Sequence, residues 1–176
     1  MEKRSVIVIM GVPGSGKSEV IQYLMAAYRI PKFSFRSVLE EEIRKAKIPI
    51  GYFGSLEIRG QLEKKLGEEY FPERITQLIN EDVNHENALV EGLELGVWLD
   101  YEILRNKFGE RLRVIFVHLP IRNIFREFLH DLRQVIRLEK GGPLVTSDHL
   151  VVNNGDFTKL MNTIDSIMLG YGLYKP

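Results

Sequence analysis

The run Gly11-Val12-Pro13-Gly14-Ser15-Gly16-Lys17-Ser18 has the residue types and spacing of the phosphate-binding loop pattern G-x-x-x-x-G-K-[ST]. Glycines in such a loop free backbone N–H groups to converge on phosphate oxygens. A lysine at the place of Lys17 reaches the β/γ-phosphates, and a hydroxyl at the place of Ser18 can ligate Mg²⁺. The chemistry is that of a nucleoside triphosphate, ATP or GTP, held with Mg²⁺. Gly11, Val12, Pro13, Gly14, Ser15, Gly16, Lys17, Ser18 and Glu19 are therefore the expected nucleotide contacts.

Such a loop needs a strand before it and a helix after it. The apolar stretch Ser5-Val6-Ile7-Val8-Ile9-Met10 provides the first. Val20, Ile21, Leu24, Ala27 and Tyr28 recur at helical spacing and provide the second, whose N-terminal dipole favours an anion. Further along, short β-branched runs alternate with longer amphipathic stretches, the signature of a parallel sheet with helices on its faces. The pattern predicts strands at Val6–Met10, Lys32–Ser34, Ala88–Glu91, Leu112–Leu119 and Leu150–Val152. It predicts helices over Lys17–Tyr28, Ser37–Lys45, Leu56–Leu66, Pro72–Val83, Gly96–Lys107, Ile121–Arg137 and Phe157–Leu169. In the last helix Phe157, Leu160, Met161, Ile164, Ile167 and Met168 form one apolar stripe expected to dock on the sheet. The stretch Ile48–Ser55 is apolar but broken by Pro49, Gly51 and Gly54, and reads as a loop, either one that closes over a ligand or an ordinary connection.

At 176 residues the chain fits one domain with a substantial core. Its 24 basic and 24 acidic residues balance, so no global field attracts nucleic acid or an anionic membrane, and phosphate recognition must come from local clustering. The absence of cysteine removes disulfides, thiolate metal sites and a cysteine nucleophile, and fits a reducing compartment. The apolar run before Gly11 is too short for a signal-peptide core or a membrane span, so a cytoplasmic protein is the expectation. His85, His118, His130 and His149 show no metal-ligand spacing and are expected in structural or surface roles. Trp98 is expected in the core, with stacking against a base as the alternative, and Glu40-Glu41-Glu42 on an exposed helix face.

The loop, with Pro13 before Gly14, resembles that of nucleoside monophosphate kinases of the adenylate kinase type and their P-loop relatives. Ser34-Phe35-Arg36-Ser37-Val38-Leu39-Glu40 falls where those kinases carry S-T-G-D-x-L-R at the start of their acceptor-binding helix. Val90-Glu91-Gly92-Leu93 falls where they carry a strand ending in D-G-F. Phe108-Gly109, Val117-His118-Leu119-Pro120 and Val152-Asn153-Asn154-Gly155 follow in the order found in archaeal adenylate-kinase-related proteins. The resemblance implies a three-layer α/β/α P-loop fold with a five-stranded parallel sheet ordered 2-3-1-4-5. It also implies a helical acceptor-binding subregion at 37–84 within a single domain 1–176.

The chain also departs from this family. Ser37 and Glu40 stand at the family's Asp and Arg, and Leu95 stands where a second acceptor-binding Arg is usual. Helical spacing through Ile124, Phe125, Phe128, Leu129, Leu132, Val135 and Ile136 leaves room for only a short lid, or none, near 130–142. By the resemblance, Glu91 would lie near the loop and hold a Mg²⁺-bound water or accept a proton from an acceptor hydroxyl, with Glu94 a weaker candidate. Arg122, Arg126, Arg133 and Arg137 fall within about 60° of one another on a helical projection. Arg133 or Arg137 could then stabilise the transferring phosphoryl group as lid arginines do, unless the stripe is a solvated face paired with Glu127 and Asp131. Arg36, Arg44 and Arg59 are the remaining candidates for an anionic acceptor.

The reading is a Mg²⁺-dependent phosphotransferase. Its catalytic candidates are Lys17, Glu91, Arg133 and Arg137, its metal candidates are Ser18 and Glu91, and its partners are a nucleotide and a small acceptor such as a nucleoside monophosphate. The alternatives are an NTP hydrolase or switch, and a nucleotide-binding protein that uses the fold for partner interaction.

Overall fold

The computed structural model describes residues 5–11, 14–48, 55–92, 98–120 and 147–176. The predicted helix 121–137, the lid region 130–142 and the loop residues 49–54 lie outside them. So do Val12, Pro13, Glu94, Leu95, Arg122, Arg126, His130, Arg133 and Arg137, and also the Trp98 side chain.

Five strands form the sheet: β1 Ser5–Gly11, β2 Lys32–Ser34, β3 Asn87–Glu91, β4 Leu112–His118 and β5 His149–Val152. Their order is β2-β3-β1-β4-β5, and every pairing is parallel. The helices are α1 Lys17–Tyr28, α2 Phe35–Ala46, α3 Ser55–Leu66, α4 Tyr70–Glu81, α5 Trp98–Phe108 and α6 Phe157–Gly170. This is the expected three-layer fold and strand order.

The central strand shows why β1 reads as an unbroken apolar run. Successive side chains point to opposite faces, and both faces are covered. Val6, Val8 and Met10 join α2–α5 in one core with Phe71, Ile75, Leu104 and Phe116. Ile7 and Ile9 join α1 and α6 in the other, with Val20, Leu24, Ile115 and Ile164. The apolar stripe of α6 docks as predicted at Leu160, Met161, Ile164, Ile167 and Met168, but Phe157 is 57% exposed. As the first residue of the helix, it precedes the turn that meets the sheet.

Helix starts differ from the sequence reading for local reasons. α2 begins at Phe35 rather than Ser37, because the Ser34 side chain accepts the Ser37 N–H and caps the helix while Phe35 is buried. α4 begins at Tyr70, which leaves Pro72 still inside the first turn, where its missing N–H costs no helical bond. The acidic run of α2 is not uniformly exposed. Glu42 is 8% exposed and pairs with Lys45 at 2.8 Å. Among the described residues, no helix is long and apolar enough to cross a membrane.

Candidate functional site: the loop at the carboxyl end of the central strand

β1 ends at Gly11, in register with Val117 of β4. A Cβ at Gly11, whose φ is 151°, would stand 2.3 Å from the Val117 carbonyl oxygen and 2.7 Å from Ser15 Oγ. Only a glycine lets the chain leave the sheet so close to its neighbour. Gly14 (φ 74°) and Gly16 (φ 94°) then turn the backbone through the left-handed region into α1. Gly16 occupies the N-cap position and, as a glycine, supplies no side-chain cap. With a glycine at the N-cap, the first-turn amides and dipole of α1 are placed for an anion.

The side chains around this turn are arranged for the same ligand. Among the described residues nothing stands within 4 Å of an ideal Cβ at Gly14, which is itself exposed, so a bound group can approach its backbone. Ser15 Oγ is fully buried beneath the loop and has no hydrogen-bond partner among the described residues. Ser18 is exposed at the first turn of α1, and Glu19 is exposed beside it. Lys17 is partly buried. Burial lowers the pKa of its ammonium below the ordinary value, against the opposing pull of Glu19 and Glu91. The influence of Glu91 follows from topology. Leu89 faces the α1 side of the sheet, and Glu91, two residues on, shares that face at the carboxyl end of β3, next to β1. The Glu91 carboxylate itself pairs with Lys32 Nζ at 2.7 Å, both side chains being about one-third exposed. Glycine cradle, lysine, exposed hydroxyl and nearby carboxylate together fit a Mg²⁺-nucleotide.

The other candidates separate. Gly92 (φ 84°) follows Glu91 directly, and its ideal Cβ would be 3.5 Å from Phe35 Cβ, so the end of β3 sits against the start of α2. Arg36, in the first turn of α2, is exposed and pairs with Glu40 at 3.0 Å. Arg44 is exposed on the same helix. Arg59 is buried instead. Its guanidinium contacts Asp100 at 2.7 Å and Glu63 at 2.6 Å, and lies 5.6 Å and 4.9 Å from the ring centroids of Phe35 and Phe71. Burial opposes its charge, but the two carboxylates outweigh burial and raise its pKa. This is a structural tie between helices, and Arg59 is not a cation open to an acceptor. His85 contacts Asp82 at 2.9 Å, and the His149 ring lies against Tyr171. No cluster of His, Asp and Glu able to hold a metal by itself occurs among the described residues.

Sequence reasoning left Asn153 without a role. Its side-chain amide donates to the Ser15 carbonyl at 2.9 Å, so the end of β5 touches the loop. The V-x-N-x-G pattern was the available signal, but nothing local to it points to residue 15.

A family profile described as an AAA domain matches residues 10–140, more than half of the chain. No curated protein matches. Shikimate kinase from Aquifex aeolicus is similar in structure at 20% identity and a TM-score of 0.55, covering 96% of this chain and 98% of that one. Shikimate kinase from Acinetobacter baumannii, in complex with shikimate, is similar at 19% identity and a TM-score of 0.56, covering 98% and 97%. The Mycobacterium tuberculosis APS kinase CysC, in complex with AMPPNP and APS, is similar at 11% identity and a TM-score of 0.54, covering 94% and 98%. With its glycine loop between the central strand and α1, its 2-3-1-4-5 sheet and this profile match, the chain belongs to the AAA-domain family and has the fold of the small P-loop kinases.

Proposed function

We propose that the protein binds a nucleoside triphosphate with Mg²⁺ at Gly11–Glu19 and transfers its γ-phosphoryl group to a small acceptor. The observation that carries this reading is the N-terminus of α1, presented by the positive-φ glycines Gly11, Gly14 and Gly16 at the end of the central strand. Phosphoryl transfer asks for positioning and charge stabilisation more than for a reactive side chain, and these elements supply both. The loop amides and Lys17 hold the phosphates. Ser18 is the hydroxyl for Mg²⁺, which when bound neutralises charge on the phosphate oxygens.

Glu91 has the second role. Its pairing with Lys32 is partly exposed and so worth about 0–1 kcal/mol. That is little enough for the carboxylate to leave Lys32, where it would help to hold Mg²⁺, or would take the proton of an acceptor hydroxyl as that hydroxyl's oxygen attacks the γ-phosphorus and the β–γ bridging bond breaks. Arg133 and Arg137 remain candidates for stabilising that charge.

The acceptor binds toward the 37–84 helices. A phosphate-bearing acceptor would need a cation there, and recruiting Arg59 would break its buried pairs with Asp100 and Glu63 at a cost of about 3–5 kcal/mol. Ser37, Glu40 and Leu95 stand where the kinases place an Asp and two Arg, and Arg36 is paired with Glu40, so nucleoside monophosphates are expected to be poor acceptors.

The test is a Mg²⁺-nucleotide titration of wild type and Lys17→Ala, followed by steady-state assays. These are run with ATP or GTP alone, then with nucleoside monophosphates, shikimate and APS. Binding lost in Lys17→Ala and turnover that requires an acceptor support the kinase reading. Phosphate release without any acceptor assigns a hydrolase. Equal affinity in both proteins removes the loop from phosphate binding.

A further inference from the structure

Asn153 lies immediately beyond β5 and directs three hydrogen-bonding groups toward three different positions. Its backbone N–H donates to the His118 carbonyl at the end of β4 at 2.8 Å. Its side-chain oxygen accepts the Gly155 N–H at 2.9 Å, which fixes the side chain's orientation. Its side-chain amide donates to the Ser15 carbonyl at 2.9 Å. The amide nitrogen would also be 2.5 Å from a Cβ at Gly16, and Leu160 of α6 would follow at 3.5 Å, so the Asn153 turn and α6 pack directly on the loop. The bond falls on the peptide between two loop residues that present the phosphate-binding amides. It anchors that peptide to the edge of the sheet rather than to the loop's own flanks. Such a tie removes alternative loop conformations before ligand arrives, which is how a positioning group raises affinity without touching the ligand.

We infer that Asn153 is a positioning residue that braces the phosphate-binding loop through the Ser15 carbonyl. The inference rests on the nucleotide-binding reading for its consequence, but not for the brace itself. Asn153→Asp keeps the size and the acceptor for Gly155, and replaces the donor with an oxygen that repels the Ser15 carbonyl. Asn153→Ala removes both contacts, and the exposed neighbour varied as Asn154→Ala is the control.

Three measurements are made on the full chain: affinity for Mg²⁺-ATP, affinity for inorganic tripolyphosphate, and amide hydrogen exchange of the peptide spanning residues 11–18 without ligand. Both Asn153 variants are expected to weaken ATP and tripolyphosphate by the same factor, about tenfold, as for one lost hydrogen bond. Exchange in 11–18 should speed up, while Asn154→Ala matches wild type. Weakening of ATP alone would make Asn153 a contact to base or sugar and overturn the brace. Unchanged exchange in both Asn153 variants would overturn it equally. If wild type binds neither ligand, the nucleotide reading fails, and the exchange measurement still decides whether the brace exists.

Discussion

A methyl group tells the loop glycines apart. At Gly14 the strain comes from backbone conformation, since among the described residues nothing stands within 4 Å of an ideal Cβ. Gly14→Ala should therefore cost about 1–2 kcal/mol of stability, the usual penalty for left-handed backbone. At Gly11 the Val117 carbonyl must also move, because the new carbon would lie 2.3 Å away. Gly11→Ala should cost clearly more in chemical denaturation, and equal costs would show that the strand end gives way freely. Lys17 has an opposite balance between function and stability. Burial lowers its pKa, so its charge costs the unliganded fold something that Lys17→Met removes. The sign follows from linkage. The penalty is complete at neutral pH and is relieved as pH rises through the lowered pKa toward the ordinary 10.5. Lys17→Met should accordingly melt higher than wild type near pH 7, lose that advantage toward pH 10.5, and bind Mg²⁺-ATP at least tenfold more weakly. A lower melting temperature at pH 7 would contradict the burial argument.

Two side-chain ties hold elements together and fail in different ways. Arg59 joins α3 to Asp100 of α5, and both are buried. Asp100→Ala leaves a buried guanidinium short of one carboxylate and should destabilise by about 3–5 kcal/mol, whereas Arg59→Met with Asp100→Leu should recover much of the loss. If the double variant is as unstable as the single, the cost lies in packing rather than in the stranded charge. The second tie joins α1, α6 and the C-terminal segment. Tyr23 and Tyr28 donate to Asp165 at 2.7 Å and 2.9 Å, and Lys175 Nζ reaches both Asp165 and Tyr23 at 2.7 Å. Burial would raise the Asp165 pKa, but the bonds from Lys175, Tyr23 and Tyr28 outweigh it and hold the carboxyl below its usual 3.8. Burial and the bond to Asp165 push Tyr28 up to about 12. A depressed carboxyl contributes stability above 3.8 that is lost as pH falls through its folded value. A raised phenol contributes stability below its ordinary 10.0 that is lost as pH climbs toward 12. Asp165→Asn should flatten the acid limb of the melting-temperature profile, and Tyr28→Phe the alkaline limb. Profiles that keep both slopes would assign them to other groups.

The two cores share the strands of one sheet, which sets how the molecule should unfold. Val6, Val8 and Met10 belong to one core and Ile7 and Ile9 to the other, so neither can open without breaking up β1. Near- and far-ultraviolet circular dichroism should therefore melt in a single coincident transition, and two separated transitions would refute the single-domain reading. What was legible in the sequence was local. The glycine loop, the apolar strands and the helical periodicity of α1 and α6 depend on residues within a turn or two of each other, so their spacing carries the geometry. The strand order came from resemblance, because spacing does not say which parallel strands are neighbours. Long-range partners were not legible at all. Arg59 looks in sequence like an acceptor-binding cation until Asp100, 41 positions later, closes on it, and Asn153 has no visible role until folding brings it to Ser15, 138 positions earlier. The start of α2 shifted because Ser34 caps it while Phe35 packs in the core, a joint outcome of capping and burial. By itself the sequence determined that a phosphate-binding loop joins an apolar strand to an amphipathic helix, since that unit is specified by neighbouring residues. Only the tertiary structure decided which charges are used up in holding the helices together and what braces the loop. Those are properties of contacts between distant segments, and a hydrogen bond or ion pair exists only where packing brings donor and acceptor within reach.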